Sequence, residues 1–191
     1  MKKCSTLFFA LLLLQGLAAQ AVLLSEDFEN GIPDGWAADA YWEAGNAAAL
    51  SSQFFAIPAH GNFAGVNDDA AGQGVSTNGM LATPPIDLAE AAGAVLTFET
   101  FFGNGDYQGN ETAKVLVSRD SGATWAEELS LEGNFDEWQS IYLNLSEYLG
   151  DTIRIAFAYN DGGSWNYGYC VDNVAVSSPP AYDAAMATVA T

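Results

Sequence analysis

A period of two, rather than 3.6, organises the hydrophobic positions of this chain. In Leu96-Thr97-Phe98-Glu99, Leu96 and Phe98 share one face and Thr97 and Glu99 the other. Lys114-Val115-Leu116-Val117-Ser118 alternates in the same way and then meets the turn Asp120-Ser121-Gly122. Ile141 to Leu145, Ile153 to Tyr159 and Tyr169 to Val176 extend the series. Short alternating runs separated by Gly, Asn and Asp predict an all-β antiparallel sandwich. The single helix-like stretch, Leu88 to Ala92, is cut off by Gly93 and is too short to stand alone.

The two ends read differently. Lys2-Lys3, the apolar run Leu7 to Leu14 and the small residues before Val22 make residues 1–21 an expected signal peptide. That run is well short of the ~20 residues that span a bilayer, so no transmembrane segment is expected. Residues 22–178 would form the domain. Ser177-Ser178-Pro179-Pro180 has a linker composition, and residues 179–191 read as a linker and the start of a following, truncated domain. The chain is therefore expected to belong to a larger multidomain protein.

Charge narrows the function. The 191 residues carry 24 Asp+Glu against 5 Lys+Arg, a net charge of −19. So acidic a surface repels phosphate, which excludes nucleic acid and anionic membranes as partners. Cys4 would leave with the leader, so Cys170 has no disulfide partner. One His and one Cys cannot supply the four ligands of a Cys/His structural zinc site. An exported, disulfide-free acidic domain points to calcium as its stabiliser.

The acids cluster with Asn and Gly, as in Ser25-Glu26-Asp27-Phe28-Glu29-Asn30, Asn67-Asp68-Asp69, Asn104-Gly105-Asp106, Asn160-Asp161-Gly162 and Asp172-Asn173. Calcium takes six to eight hard oxygen ligands, which such segments offer. Asp27 and Glu29, two apart, would share a face of a strand while Phe28 points inward. None of these segments is an EF-hand loop, so spacing alone leaves open a solvated acidic surface with Asx turns.

Ser118-Arg119-Asp120-Ser121-Gly122-Ala123-Thr124-Trp125 fits the S-x-D-x-G-x-T-W pattern of an Asp box, a self-bonded hairpin turn. The sialidase reading it raises needs an arginine cluster, and only Arg119 and Arg154 are present. His60 is the single general base titrating near neutrality, and a His60–Cys170 pair is set against Cys170 as a buried inert thiol. A glycosidase carboxylate pair stays open among so many acids. Trp165 and Tyr167, in the Gly-rich Asn160-to-Tyr169 stretch, are candidates for a platform that meets sugar or peptide. Tyr41-Trp42, Trp125 and Phe135-to-Trp138 read more as lids of the core.

Taken in order, several segments resemble the cleaved-adhesin, or choice-of-anchor J, domains. They are Phe28-Glu29-Asn30-Gly31-Ile32-Pro33-Asp34-Gly35-Trp36, Thr83-Pro84-Pro85-Ile86-Asp87-Leu88 followed by Leu96-Thr97-Phe98, the Val117-to-Trp125 hairpin, Trp138 with Leu143 to Gly150, and Val171-Asp172-Asn173-Val174. Asn144 stands where that pattern usually has Asp. The resemblance covers about residues 26–176 and implies a two-sheet, MAM-like jelly roll with structural calcium and no catalysis of its own. It implies metal ligation by Glu29 and Asp172, with Asp27, Asp68 and Asp69 added on their acidity. The expected function is a secreted or cell-surface, non-catalytic, calcium-stabilised adhesion module that binds an extracellular glycan or protein. The alternatives are an accessory domain of a secreted hydrolase, most readily a peptidase, or a carbohydrate-active enzyme in its own right.

Overall fold

A computed structural model of the chain describes residues 20–103, 110–133 and 137–178. The expected leader up to residue 19, the Asn104-Gly105-Asp106 cluster, Phe135-Asp136 and the expected linker from residue 179 lie outside the described residues. No helix among the described residues is long and apolar enough to cross a membrane.

Twelve strands run in the order β1 (Ala21–Glu26), β2 (Ala37–Ala38), β3 (Glu43–Gly45), β4 (Phe63–Asn67), β5 (Gly79–Ala82), β6 (Ile86–Asp87), β7 (Val95–Phe102), β8 (Thr112–Ser118), β9 (Ala126–Ser130), β10 (Gln139–Asn144), β11 (Thr152–Asn160) and β12 (Gly168–Ser178). They form two six-stranded sheets, both antiparallel in their pairings, as the alternating pattern predicts. The first has the order β10-β7-β12-β4-β3, with β1 also on β12. The second has the order β2-β5-β11-β8-β9, with β6 also on β11. The Leu88-to-Ala92 stretch is a turn, closed by Ala91 donating to the Leu88 carbonyl.

Period-two alternation explains what each sheet buries. Leu96, Phe98 and Phe102 of β7 and Tyr169 and Val171 of β12 face Val115, Val117, Ile153, Ile155 and Phe157 of the second sheet. Phe98 meets Phe157 edge to face, ring centroids 5.1 Å apart. The alternate positions Phe63, Phe101 and Cys170 emerge on the outer face of the first sheet, yet they too are buried. Residues 46–62 roof that face: Leu50, Phe55 and Ile57 pack on it, and Phe55 stacks on Phe101 at 5.4 Å. Two four-residue helices at this level, α1 (Ala47–Leu50) and α2 (Asp68–Ala71), are each capped by an Asn side chain, Asn46 and Asn67.

On the second sheet, the 118–125 turn closes on itself. Asp120 accepts hydrogen bonds from the Thr124 amide and hydroxyl, and Ser118 Oγ accepts from the Gly122 amide. These donors, led by the Thr124 hydroxyl, hold the Asp120 carboxyl down at about 2. The sheet also takes all the cations of the described residues apart from His60. Lys114 pairs with Glu127, Arg119 pairs with Glu147 and Asp151, and Arg154 donates to the Thr83 carbonyl.

Removing the Phe98 ring tests where the stability resides. F98A should cost ~3–5 kcal/mol in urea unfolding, from lost burial plus the cavity left behind. Y142A, at a position 76% exposed on neighbouring β10, should change stability by no more than ~0.5 kcal/mol.

Candidate functional site

The loop between β11 and β12 carries Trp165 and Tyr167, and buried carboxylates hold it. Asp161, 1% exposed, accepts from the Thr77 and Gly163 amides. Asp68, wholly buried, accepts from Thr77 Oγ1 and the Asn166 amide. Glu111 accepts from Tyr159 Oη at 2.6 Å and from the Tyr167 amide. Asn166 Nδ2 ties the loop to Asn110 Oδ1 and the Asp161 carbonyl. A loop rich in glycine, with Gly162 and Gly163 both at positive φ, is thereby given one conformation.

Among the described residues no Lys, Arg or His pairs with Asp68, Glu111 or Asp161, so amide and hydroxyl donors balance these acids. Burial pushes the Glu111 carboxyl up to about 7, against the pull of its Tyr159 and Tyr167 donors. Burial also raises Asp68, with Asp161 and Asp69 adding to the effect.

The loop presents an aromatic slot. Phe54, 55% exposed, stands edge-on to half-buried Trp165 with centroids 6.0 Å apart. The two rings line a cleft of about 140 Å³ with Asp69, Asn166 and Tyr167. The Trp165 indole N–H donates to the Asp69 carbonyl, and Asp69 Oδ2 accepts from the Phe54 amide, so Asp69 ties the Trp165 ring to the Phe54 backbone. On its other side Trp165 borders a polar hollow lined by Gln73, Ser76, Asp161 and Ser164. Trp165 is thus a ridge between an apolar slot and a polar one.

A second cluster lies on the outer face of the first sheet, where the partner of β12 changes from β4 to β1. Asp172 is directly across from Glu99 on β7, both on the outer face. A bulge between Asp172 and Ala175, with Asn173 at φ 49, keeps Asp172 and Asn173 outside and returns Val174 to the core. His60, on the roofing segment, brings Nε2 to 2.8 Å from Asp172 and 3.1 Å from Glu99. Burial raises the Asp172 carboxyl to about 6, while Asn173 and His60 pull it down and Glu99 adds to the rise. Glu29 sits beside this cluster and accepts from the Asn62 amide at 3.1 Å.

The seven residues singled out in the sequence therefore fall into separate places. Asp68, Asp69, Trp165 and Tyr167 meet at the loop. Asp172 is at the seam, with Glu29 close by along the 60–62 segment, and exposed Asp27 accepts from the Glu29 amide. The five acids do not form one cage. Calcium takes oxygen ligands, and at the seam Glu29, Glu99 and Asp172 suit it while the His60 nitrogen does not. Glu99, Glu111 and Phe54 were missed. Glu99 was visible as the outward residue of an alternating strand, but neither its cross-strand partner nor the burial of Glu111 is encoded locally. The Cys170 thiol is buried and pushed well up by that burial, and His60 faces carboxylates.

No family model matches the chain, and no curated protein matches it. Solved structures do. A cleaved adhesin domain of Lys-gingipain from Porphyromonas gingivalis matches with a TM-score of 0.61 at 21% identity, over 85% of this chain and 100% of that one. A xylan-binding domain from Paenibacillus barcinonensis matches at 0.53 and 14% identity, over 85% and 97%. The Stig cyclase Fisc from Fischerella sp. TAU matches at 0.55 and 17% identity, over 85% and 100%. The jelly-roll sandwich and the likeness to cleaved adhesin domains are both as expected, and at these identities the likeness is one of fold.

Glu111 makes the loop sensitive to pH. A carboxyl raised in the folded state stabilises it below the unfolded pKa near 4.5, and that contribution is lost as the pH rises through about 7. The stability of wild type relative to E111Q should therefore fall by up to ~3 kcal/mol between pH 4.5 and 8. Melts of both proteins across that range check it, and parallel curves would exclude the effect.

Proposed function

We propose that this chain is a non-catalytic binding module of an exported or cell-surface protein, which holds an extracellular glycan across the Trp165 ridge. The observation that carries the reading is the Phe54–Trp165 slot, joined through Asp69, with the polar hollow of Gln73, Ser76 and Ser164 also bordering Trp165. A sugar ring offers an apolar face and a rim of hydroxyls, which an aromatic wall and adjoining Asn, Asp and Ser groups match. The fold shared with a xylan-binding domain and with adhesin domains supports the same reading.

A protein ligand would use the same exposed rings. The cyclase among the fold neighbours keeps an enzyme reading in view. Glu111, the acid whose pKa best suits proton transfer, is 3% exposed beneath the loop, where a substrate does not reach it. That burial favours binding over catalysis. The accessory-domain reading, with a hydrolase as parent, is compatible with this function.

Calcium completes the proposal. Glu29, which accepts from the Asn62 amide two residues from His60, and Asp172 would supply oxygen ligands that brace the start of the chain against the last strand. Asp27 would assist there, while Asp68 and Asp69 serve the loop.

Two measurements test these statements. Gels cast with xylan, and with a panel of other soluble polysaccharides, should retard the wild-type chain. W165A should lose at least ~2 kcal/mol of that affinity, and W165A with Y167A should abolish it. Unchanged retardation would move the site elsewhere. Added calcium should raise the melting temperature over the chelator-treated protein by several degrees, and coincident melts would remove calcium from the account.

A further inference from the structure

We propose that His60, Glu99 and Asp172 form a site for a divalent first-row transition ion of the zinc type, which fastens the 51–62 segment to the first sheet. The three side chains offer one imidazole nitrogen and two carboxylate oxygens, all within 4.8 Å of one another. Nε2 stands 2.8 Å from Asp172 Oδ2 and 3.1 Å from Glu99 Oε2. Ligands bound at about 2.1 Å lie about 3 Å apart in a six-coordinate shell and about 3.4 Å apart in a tetrahedral one, so small side-chain shifts would seat an ion among the three atoms.

Hydrogen bonding accounts for part of the arrangement. Nε2 is buried 2.8 Å from Asp172 and 3.1 Å from Glu99, but its N–H is not aligned on either oxygen, and the Asn173 side chain donates to both carboxylates. Asp172 and Glu99 are directly opposed on antiparallel strands, where like charges repel. Lys114, Arg119 and Arg154 are engaged on the other sheet. A cation between the three ligand atoms removes both difficulties.

The surroundings are those of a built site. Asn173 donates its amide to Asp172 Oδ1 at 2.7 Å and its side-chain nitrogen to Glu99 Oε2 at 2.6 Å and Asp172 Oδ2 at 3.3 Å, which orients both carboxylates. Trp138 stacks on the imidazole at 4.2 Å and 18°, and its indole N–H donates to the Pro58 carbonyl. The ring is therefore fixed to the segment it would anchor. The side chains of His60 and Glu99 are 20% and 33% exposed, so an ion can enter and waters can complete its shell.

The donor set decides the class of ion. Imidazole with carboxylate suits zinc and its first-row neighbours, whereas calcium selects oxygen alone. This site is independent of the glycan groove, and it competes with calcium at Asp172.

The untagged full chain, stripped with chelator, is titrated with zinc chloride and separately with calcium chloride. The expected result is one zinc per chain, bound at least about tenfold more tightly than calcium, with a loss of about tenfold or more in H60Q and in E99Q. His60 is the single histidine of the chain. Pulsed EPR of the wild-type protein carrying one equivalent of copper(II) should therefore show one imidazole nitrogen, with no variant required. An oxygen-only copper shell, zinc binding unchanged in H60Q, or calcium bound as tightly as zinc would each overturn the proposal. Zinc loss in H60Q with calcium binding unchanged would support the zinc site and show that calcium does not depend on His60.

Discussion

β12 is hydrogen-bonded along both edges, and everything of functional interest is referred to it. β7 lies on one side for most of its length, while β4 takes the first half of the other side and β1 the second half. Its inward residues Tyr169, Val171, Val174 and Val176 are wholly buried, each of the larger side chains worth roughly 1.5–3 kcal/mol by burial. A strand so fixed delivers two things to defined positions. At its start it anchors the loop with Trp165 and Tyr167, through Asp68 and Asp69 donating their amides to the Tyr167 carbonyl. At its bulge it holds Asp172 on the outer face opposite Glu99.

Much of this architecture was legible in the sequence. Five alternating runs became β7, β8, β10, β11 and β12, because a strand buried on one face announces itself by its period. Trp165 and Tyr167 were visible as aromatics in a Gly-rich loop. The short strands β2 and β3 were not visible, since two or three residues carry no period and form only because longer neighbours template them. The roof over the first sheet was also hidden. Phe63, Phe101 and Cys170 look like the polar-side positions of their strands filled with apolar residues, and only residues 46–62 folding back explain them.

The acids divide by environment in a way that composition could not reveal. An even acidic surface would leave its carboxylates solvated, yet Asp68, Glu111, Asp161 and Asp172 are all at most 3% exposed. Three of them are balanced by amide and hydroxyl donors, so burying them produces a rigid loop rather than an uncompensated charge. In this role Asp68 is a strut for the Trp165 loop.

Asp172 lies cross-strand from another carboxylate, Glu99, and the His60 imidazole approaches both. Backbone donors can satisfy its lone pairs, as Asn173 does, but they do not cancel the repulsion from Glu99 across 3 Å-scale contacts with a shared imidazole. A proton on His60 would neutralise only one of the two negative charges. A divalent ion cancels both charges at any pH where the imidazole is free to ligate. The bulge that sets Asn173 against both carboxylates, the tryptophan that orients the ring and the roofing segment that brings His60 down thus all serve one electrostatic requirement.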